Sequence, residues 1–366
     1  MHIAIFNWRD IDHPKAGGAE VATDQLARGL VARGHRVTFF TSAYPGAKPQ
    51  EERDGYRIIR RGSELTCRLF GLAWLWRHRG EIDFAVDEVN TLPFLSRFVK
   101  PKRHLVWMHQ LAREAWLIMA PPVIGHVGYA LEPAMFLLYR SARIVTISQS
   151  SARTFREFGL RGPIHVAEIS LRPPVDAASP TEPYHLGHVG RIAPSKRIDH
   201  IFRAMALLAP RFAQIKLTVV GTGAPGELER LQKIAAELGI ADRVAYTGFL
   251  SNEQRDALTA SFDAVAMASV REGWGLVVSE AARFGVPAVV YPVPGLVDSV
   301  KDGESGIVCS AETPEALADG LARVLGDRAL RERLSRGAKE YLLQFDEERF
   351  VGNFERALLE QAAAEA

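Results

Sequence analysis

Met267-Ala-Ser-Val-Arg-Glu-Gly-Trp-Gly-Leu-Val-Val-Ser-Glu-Ala-Ala-Arg-Phe-Gly285 is the stretch on which the reading of this chain turns. Its apolar lead-in, Ala264 to Ala268, predicts a strand. Two glycines around an aromatic, Gly273-Trp274-Gly275, predict a loop, and a helix is expected from Leu276 until Gly285 and Pro287 stop it. A strand, a glycine turn and a helix N-terminus in succession are the repeating parts of a parallel α/β sheet.

The first turn of a helix leaves backbone N–H groups unpaired, and glycine lets a ligand approach them, so such a turn favours an anion such as phosphate. Glu272 stands in the loop and Glu280 follows Leu276 by four residues. Side chains lean toward a helix N-terminus, which brings Glu280 back beside whatever the amides hold. Carboxylates repel phosphate but accept hydrogen bonds from sugar hydroxyls. A group that is part phosphate and part polyol, such as a nucleotide sugar, uses both halves.

Glu272, seven residues, then Glu280, with Gly-Trp-Gly between them, resembles the signature of the family-4 retaining glycosyltransferases, which have the GT-B fold. The resemblance implies an α/β architecture of two Rossmann-like, doubly wound parallel-sheet domains facing across a cleft. It further implies that Glu272 contacts the donor sugar, Glu280 the nucleotide ribose, and the amides of Gly275, Leu276 and Val277 the diphosphate. Trp274 stands where the family usually has phenylalanine.

Strand-like and helical runs alternate from the start, with His2 to Asn7, Glu20 to Ala32 and Arg36 to Thr41 as the first three. Between the first two lies Lys15-Ala16-Gly17-Gly18-Ala19-Glu20, a glycine turn at a strand's carboxyl end, where open α/β sheets bind ligands. The resemblance extends to Gly17 and Gly18 and places this loop beside donor phosphates and acceptor. Arg57 to Arg61 reads as a strand. Leu65 to Arg79 reads as a helix that mixes Leu69, Leu72, Trp74, Leu75 and Trp76 with Arg68, Arg77, His78 and Arg79. Its aromatics suit either the core, as an apolar stripe usually does, or an anionic membrane surface. Phe84 to Val86 and His104 to Met108 read as strands, the second ending at His109, where the resemblance implies a functional histidine. Leu117 to Tyr139 is apolar and helical but interrupted by Pro121, Pro122, Glu132 and Pro133, and Arg143 to Ser148 reads as the last strand of this half.

Pro173-Pro174-Val175-Asp176, with Ser179, Pro180 and Pro183, marks a linker. Residues 1–175 are thus expected to form an acceptor-binding domain and 176–345 a donor-binding domain. The family sends a last helix, here 346–366, back onto the first domain. After the linker the rhythm restarts with His185 to Gly190, followed by Gly190-Arg191-Ile192-Ala193-Pro194-Ser195-Lys196. Arg191 and Lys196 on one strand-to-helix turn can clamp a diphosphate, the first as a planar fork and the second as a point charge. Either Ser195 or Asp199 is expected to cap the next helix. The family's arginine and lysine here neutralise the leaving nucleoside diphosphate. Catalytic roles are therefore expected for Arg191, Lys196, His109 and Glu272. Donor contacts are expected from Gly17, Gly18, Gly190, Gly273, Trp274, Gly275, Leu276, Val277, Glu280, Thr247 and Gly248.

Gly221-Thr222-Gly223-Ala224-Pro225-Gly226 spells the dinucleotide fingerprint but lacks the acidic residue that should close the next strand, which ends in Thr247-Gly248. A turn flanking the nucleotide fits better. Asp298 stands where the family usually has glutamate.

With 366 residues the chain suits two domains, and 47% hydrophobic with 24% charged residues is ordinary globular composition. A net charge of +2 and the lack of a long basic run exclude nucleic acid as the expected partner. Cys67 and Cys309 are expected to be reduced and to lie in different domains, as in a cytosolic protein. No uncharged apolar run is long enough to span a membrane, and no Asp-x-Asp or His/Cys cluster has metal-ligand spacing. The expectation is a metal-independent hexosyltransferase without cofactor. It would take a UDP- or GDP-linked sugar to a glycan, lipid-linked or small-molecule acceptor, with peripheral membrane association through the Leu65 to Arg79 helix as the alternative to burial of that helix in the core. A nucleotide-sugar epimerase and a non-catalytic binding protein are the rivals, since fold alone does not fix function.

Overall fold

A computed structural model describes residues 1–90, 92–176, 183–223 and 226–364. Ser179 and Pro180 of the expected linker, and Ala224 and Pro225 of the fingerprint, lie outside the described residues. The chain divides into two compact units. The N-terminal unit comprises Met1–Arg113, Gly128–Ser170 and Phe345–Ala366; the C-terminal unit comprises Glu114–Val127 and Leu171–Gln344.

In the N-terminal part the elements run β1 (His2–Phe6), α1 (Gly18–Ala32), β2 (Arg36–Thr41), β3 (Gln50–Arg53), β4 (Tyr56–Arg60), α2 (Cys67–His78), β5 (Phe84–Glu88), β6 (His104–Trp107), α3 (Glu114–Met119), α4 (Pro122–Leu137), β7 (Ile144–Thr146), α5 (Gln149–Glu157) and β8 (Ile164–Val166). The sheet order is β3-β4-β2-β1-β5-β6-β7-β8, parallel except for the β3–β4 hairpin. Near-continuous burial of β1, β2 and β5 fits strands covered on both faces.

Two expectations are corrected here. Arg143 to Ser148 does not hold the last strand, because β8 pairs parallel with β7 beyond it; three half-buried residues give little hydrophobic pattern. Pro133 does not interrupt the helical region, since α4 runs through it; the break falls at Pro121-Pro122, where Pro122 opens the new helix and its lost N–H costs nothing.

The C-terminal elements are β9 (His185–Val189), α6 (Ile198–Leu208), β10 (Lys216–Val220), α7 (Glu227–Glu237), β11 (Val244–Gly248), α8 (Asn252–Thr259), β12 (Ala264–Met267), α9 (Leu276–Ala282), β13 (Ala288–Val290), α10 (Leu296–Ser299), β14 (Gly306–Val308), α11 (Pro314–Gly326), α12 (Arg328–Leu342) and α13 (Glu347–Ala363). Their sheet is ordered β11-β10-β9-β12-β13-β14, with every pair parallel. Numbered from β9, this is the doubly wound order 3-2-1-4-5-6. Its core holds Leu186, Leu217, Val265, Val289 and Phe262, all at most 1% exposed. The last helix, α13, packs within the N-terminal unit: Arg33 and His35 beside α1 reach Glu355 at 2.9 and 2.7 Å. Among the described residues no helix is long and apolar enough to cross a membrane.

Strand order fixes the two places where crossover direction reverses, between β1 and β5 in one sheet and between β9 and β12 in the other. Loops leaving the carboxyl ends of those neighbours are pushed together, and ligands of such sheets bind there.

Candidate functional site

The loops after β9 and β12 carry residues far apart in sequence. Because Leu186 pairs with Ala264 in register, both loops rise from adjacent strands, and Val270 N–H joins them by donating to Ser195 O at 2.9 Å. Pro194–Lys196 forms a short 3-10 turn, and Arg197 follows in the left-handed region at φ 47°. That backbone sets the entry of α6. Neither Ser195 nor Asp199 caps the helix, contrary to expectation: Arg197 occupies the cap position without a side-chain bond, and Asp199 faces Arg230 at 3.6 Å instead.

Lys196 Nζ donates to Glu272 Oε1, and Ser269 Oγ donates to the same oxygen at 2.7 Å. The lysine and glutamate side chains are 18% and 17% exposed, so a solvent-borne group can reach and compete for either. Glu272 is held from behind, its N–H donating to Pro294 O at 3.1 Å. Gly295 passes so close that a Cβ would meet Glu272 O at 2.3 Å, so only glycine fits. Arg191 is exposed, and no ion pair binds it among the described residues.

Gly275, at φ 93°, opens α9; a Cβ there would lie 2.8 Å from Leu296 Cδ2. Val278 N–H closes the first turn on Gly275 O at 2.8 Å, and the amides of Leu276 and Val277 precede that ladder. Trp274 is buried at 3% exposure and anchored by Nε1 donating to Ser279 Oγ at 2.9 Å. The aromatic thus braces the turn from below. Glu280 is half-buried and 3.4 Å from Arg255; burial holds its carboxyl above the usual range, with Arg255 opposing. Beneath the pair sits His188 of β9, fully buried. Its Nδ1–H donates to Ala266 O at 3.1 Å, Nε2 has no partner among the described residues, and burial lowers its pKa to about 4.

The Gly-x-Gly after β10 has a packing reason. A Cβ on Gly221 would lie 1.9 Å from Gly190 O and one on Gly223 2.4 Å from Ile192 O, because Ile192 extends beside Gly223 as an isolated bridge. The glycines let Gly190-Arg191-Ile192 press against this turn. Gly190 and Gly248 take φ 143° and 69°, and half-buried Thr247 donates to Gly248 O at 3.2 Å. A cavity of about 850 Å³, lined by residues including Val297, Asp302, Cys309 and Tyr341, contains none of the expected site residues.

The N-terminal unit holds a second constellation at its own reversal point. Gly17 precedes α1, and its N–H donates to Glu20 Oε2 at 2.7 Å, a bond from the helix's first turn back to its cap position that holds the Gly17-Gly18 turn. Glu88, at the carboxyl end of β5 and 2% exposed, accepts from Thr23 Oγ1 at 2.5 Å. It also accepts from His109 Nε2 at 2.9 Å. His109 is 8% exposed, tilted against Trp107 at 4.8 Å, and its carbonyl accepts from Ser151 Oγ. Glu88 therefore fixes the imidazole's tautomer and tilt, with Nε2 protonated and Nδ1 left as an acceptor. Burial raises Glu20's carboxyl, and Glu88 adds to the rise. Glu88 has no separate role in the sequence reading; its place at a strand's carboxyl end beside the reversal is the signal that marks it.

The expected residues thus fall into two groups, one in each unit: Arg191, Lys196, Glu272, Trp274, Gly275 and Glu280 on the C-terminal sheet, Gly17, Gly18 and His109 on the N-terminal one. A family model described as "Glycosyltransferase Family 4" matches residues 16–168, and one described as "Glycosyl transferases group 1" matches 174–341. An uncharacterized glycosyltransferase of Methanocaldococcus jannaschii is 34% identical over 93% of this chain and 93% of its own length. D-inositol 3-phosphate glycosyltransferase of Salinispora arenicola is 35% identical over 50% of this chain, and the matched stretch spans 43% of that relative. Sucrose-phosphate synthase from Thermosynechococcus elongatus has the same fold, with a TM-score of 0.80, 21% identity and complete coverage of both chains. Two matched models end to end, and a relative aligned over nearly its whole length, lead to one conclusion: the chain belongs to the group 1 glycosyltransferases.

Proposed function

We propose that this protein transfers a hexose from a UDP- or GDP-linked donor to a glycan, glycolipid or small-molecule acceptor, with retention of configuration and without a metal. The observation that carries the reading is the partly exposed Lys196–Glu272 pair at the carboxyl edge of β9 and β12. A phosphate brought to Lys196 competes with Glu272 for the ammonium and releases that carboxylate to accept from sugar hydroxyls. One binding event thus prepares both halves of a nucleotide-sugar site.

As the bond between the sugar carbon and the phosphate oxygen breaks, charge gathers on the departing diphosphate. Lys196, Arg191 and the amides of Gly275, Leu276 and Val277 would stabilise it. The acceptor oxygen then forms the new bond on the same face, and its proton passes to the leaving phosphate. Glu280 would hold the ribose, with Thr247 and Gly248 near the base. The acceptor belongs to the N-terminal unit, where His109 would orient a hydroxyl with Glu88 behind it. Exposed Leu65, Leu69 and Trp76 on and beside α2, at 66, 71 and 58%, support a lipid-facing acceptor side.

The test is a screen of UDP-, GDP- and ADP-sugars for a raised melting temperature, followed by nucleoside diphosphate release with and without acceptor. Release that needs an acceptor, persists in chelator and yields a product of unchanged anomeric configuration is expected. Donor consumption without an acceptor would favour an epimerase, and binding without turnover a non-catalytic protein.

A further inference from the structure

The face of the N-terminal sheet that α2 packs on is not covered as far as its edge. Between α2 and the β3–β4 hairpin lies a cavity of about 480 Å³. Phe40 of β2 and Ile59 of β4 line it as register neighbours, with Trp74 of α2 beside them and Arg36, Arg57 and Arg61 also in its wall. Alternation along a strand puts Arg57, Ile59 and Arg61 on one face, the two arginines about 13 Å apart along the backbone. Register sets Arg57 opposite Thr38, two residues from Arg36 on the same face. Arg60, of opposite parity, is already paired with Asp10 at 2.5 Å and Glu51 at 2.7 Å.

The other three arginines are exposed, and none has an acidic partner among the described residues. Neutral groups hold two of them. Arg57 donates to Gln50 Oε1 at 2.6 Å, and the Arg61 guanidinium lies 4.7 Å from the Phe70 ring centre. Their orientation is set by these neutral groups, and Glu52 stands opposite Arg57 in the β3–β4 register without an ion pair between them. Glu81 is the one carboxylate in the wall, against these three guanidiniums. His2 adds no charge at neutral pH: burial lowers its pKa, Arg36 lowers it further, and its ring joins Glu81 O at 3.1 Å and Thr38 Oγ1 at 2.9 Å. His78 gives its Nδ1–H to Trp74 O at 2.8 Å and stacks on that indole at 4.7 Å, stiffening the aromatic side.

Guanidinium forks match phosphate oxygens, so a cavity with arginines on one side and apolar walls on the other suits an anion that carries a less polar body. We propose that this cavity binds a phosphate-bearing ligand, with the phosphate gripped by Arg57 and Arg61, Arg36 behind them, and the less polar remainder against Phe40, Ile59 and Trp74. The ligand is either the headgroup of an anionic phospholipid or a soluble phosphate ester, since both present the same dianionic or monoanionic oxygens beside an aliphatic body. This inference does not rest on the transfer reading. Arg36, Phe40, Arg57 and Ile59 lie on β2 and β4 and Arg61 directly follows β4, and none of them belongs to the loops of Gly17 and Glu88.

The full chain is titrated calorimetrically with glycerol 3-phosphate. It is also sedimented with phosphatidylcholine vesicles containing phosphatidylglycerol at low and high salt, alongside Arg57→Gln/Arg61→Gln and the conservative Arg57→Lys/Arg61→Lys. Binding of glycerol 3-phosphate that the Gln pair weakens at least tenfold assigns a soluble ester. Vesicle binding without ester binding, lost in the Gln pair and partly kept in the Lys pair, assigns a lipid headgroup. Absence of both, or either one unchanged in the Gln pair, overturns the proposal. Both arginines are exposed, so an unchanged melting temperature is expected and confirms that the variants fold. Donor turnover measured on the same preparations reports separately on the transfer site.

Discussion

Two glutamates at strand ends, Glu272 and Glu88, meet different circumstances. Glu272 shares one carboxylate oxygen between Lys196 and Ser269, and its side chain, 17% exposed, is open to exchange with an entering group. Glu88 is sealed at 2% exposure between Thr23 and His109, where exchange would strand a buried carboxylate. Exposure, more than residue type, separates a carboxylate that can meet substrate from one that positions another side chain. The C-terminal pair is accessible to a competing group, and the N-terminal one is sealed.

The largest effect that can break this contrast is at Lys196. Lys196→Ala is expected to lower kcat by about 10³-fold, roughly 4 kcal/mol of lost stabilisation of the departing phosphate. Steady-state kinetics with an unchanged melting temperature checks it, and a near-normal rate would remove the phosphate clamp. His109→Ala comes next, at about 10²-fold, with Glu88→Gln at about tenfold. If Glu88 acts through the imidazole, the double variant is no slower than His109→Ala alone, whereas additive losses would give Glu88 a direct role.

A pH measurement sharpens the contrast from beneath the site. His188 titrates near 4 in the folded chain, against 6.5 for an ordinary histidine, because burial disfavours its charged form. Below the ordinary value the unfolded chain takes up a proton that the folded chain refuses, so stability falls as pH drops from 7 toward 4. The contribution lost by pH 5 is about 2 kcal/mol. Denaturant melts at pH 7 and 5 should show this loss in the wild type and a smaller one in His188→Phe; equal losses would refute the assignment. The smallest expected effect is Trp274→Phe, which restores the family's usual residue but leaves buried Ser279 without its donor. A stability loss of about 1 kcal/mol with turnover changed less than threefold is expected from thermal melts and kinetics run together.

Much of the fold is legible because glycine turns and apolar runs alternate in one rhythm: Arg36–Thr41 is a strand with the very ends that its sequence suggests. The misses have physical reasons. β8 and β3 are three and four residues long and at best half-buried, too short to show a period. The α6 cap fails as a sequence reading because Arg197 adopts a left-handed backbone that no propensity favours, stabilised by its surroundings, with its guanidinium 2.6 Å from Glu312. Among the expected site residues, Glu272, Lys196 and His109 are named from motif and strand-end position. Glu88 is not, since a glutamate closing a strand is ordinarily solvated and only its neighbours make it a clamp.

Sequence alone determined the succession of strands, turns and helices, the glycine positions and the kinds of side chain each turn offers, because these follow from local sterics and periodicity. Tertiary structure decided which turns meet. β9 lies beside β12, so Lys196 reaches Glu272 across 76 residues of chain, and β5 lies between β1 and β6, so Glu88 reaches both Thr23 and His109. Strand order is a global outcome of burying both faces of a sheet, and no local stretch of the chain encodes it.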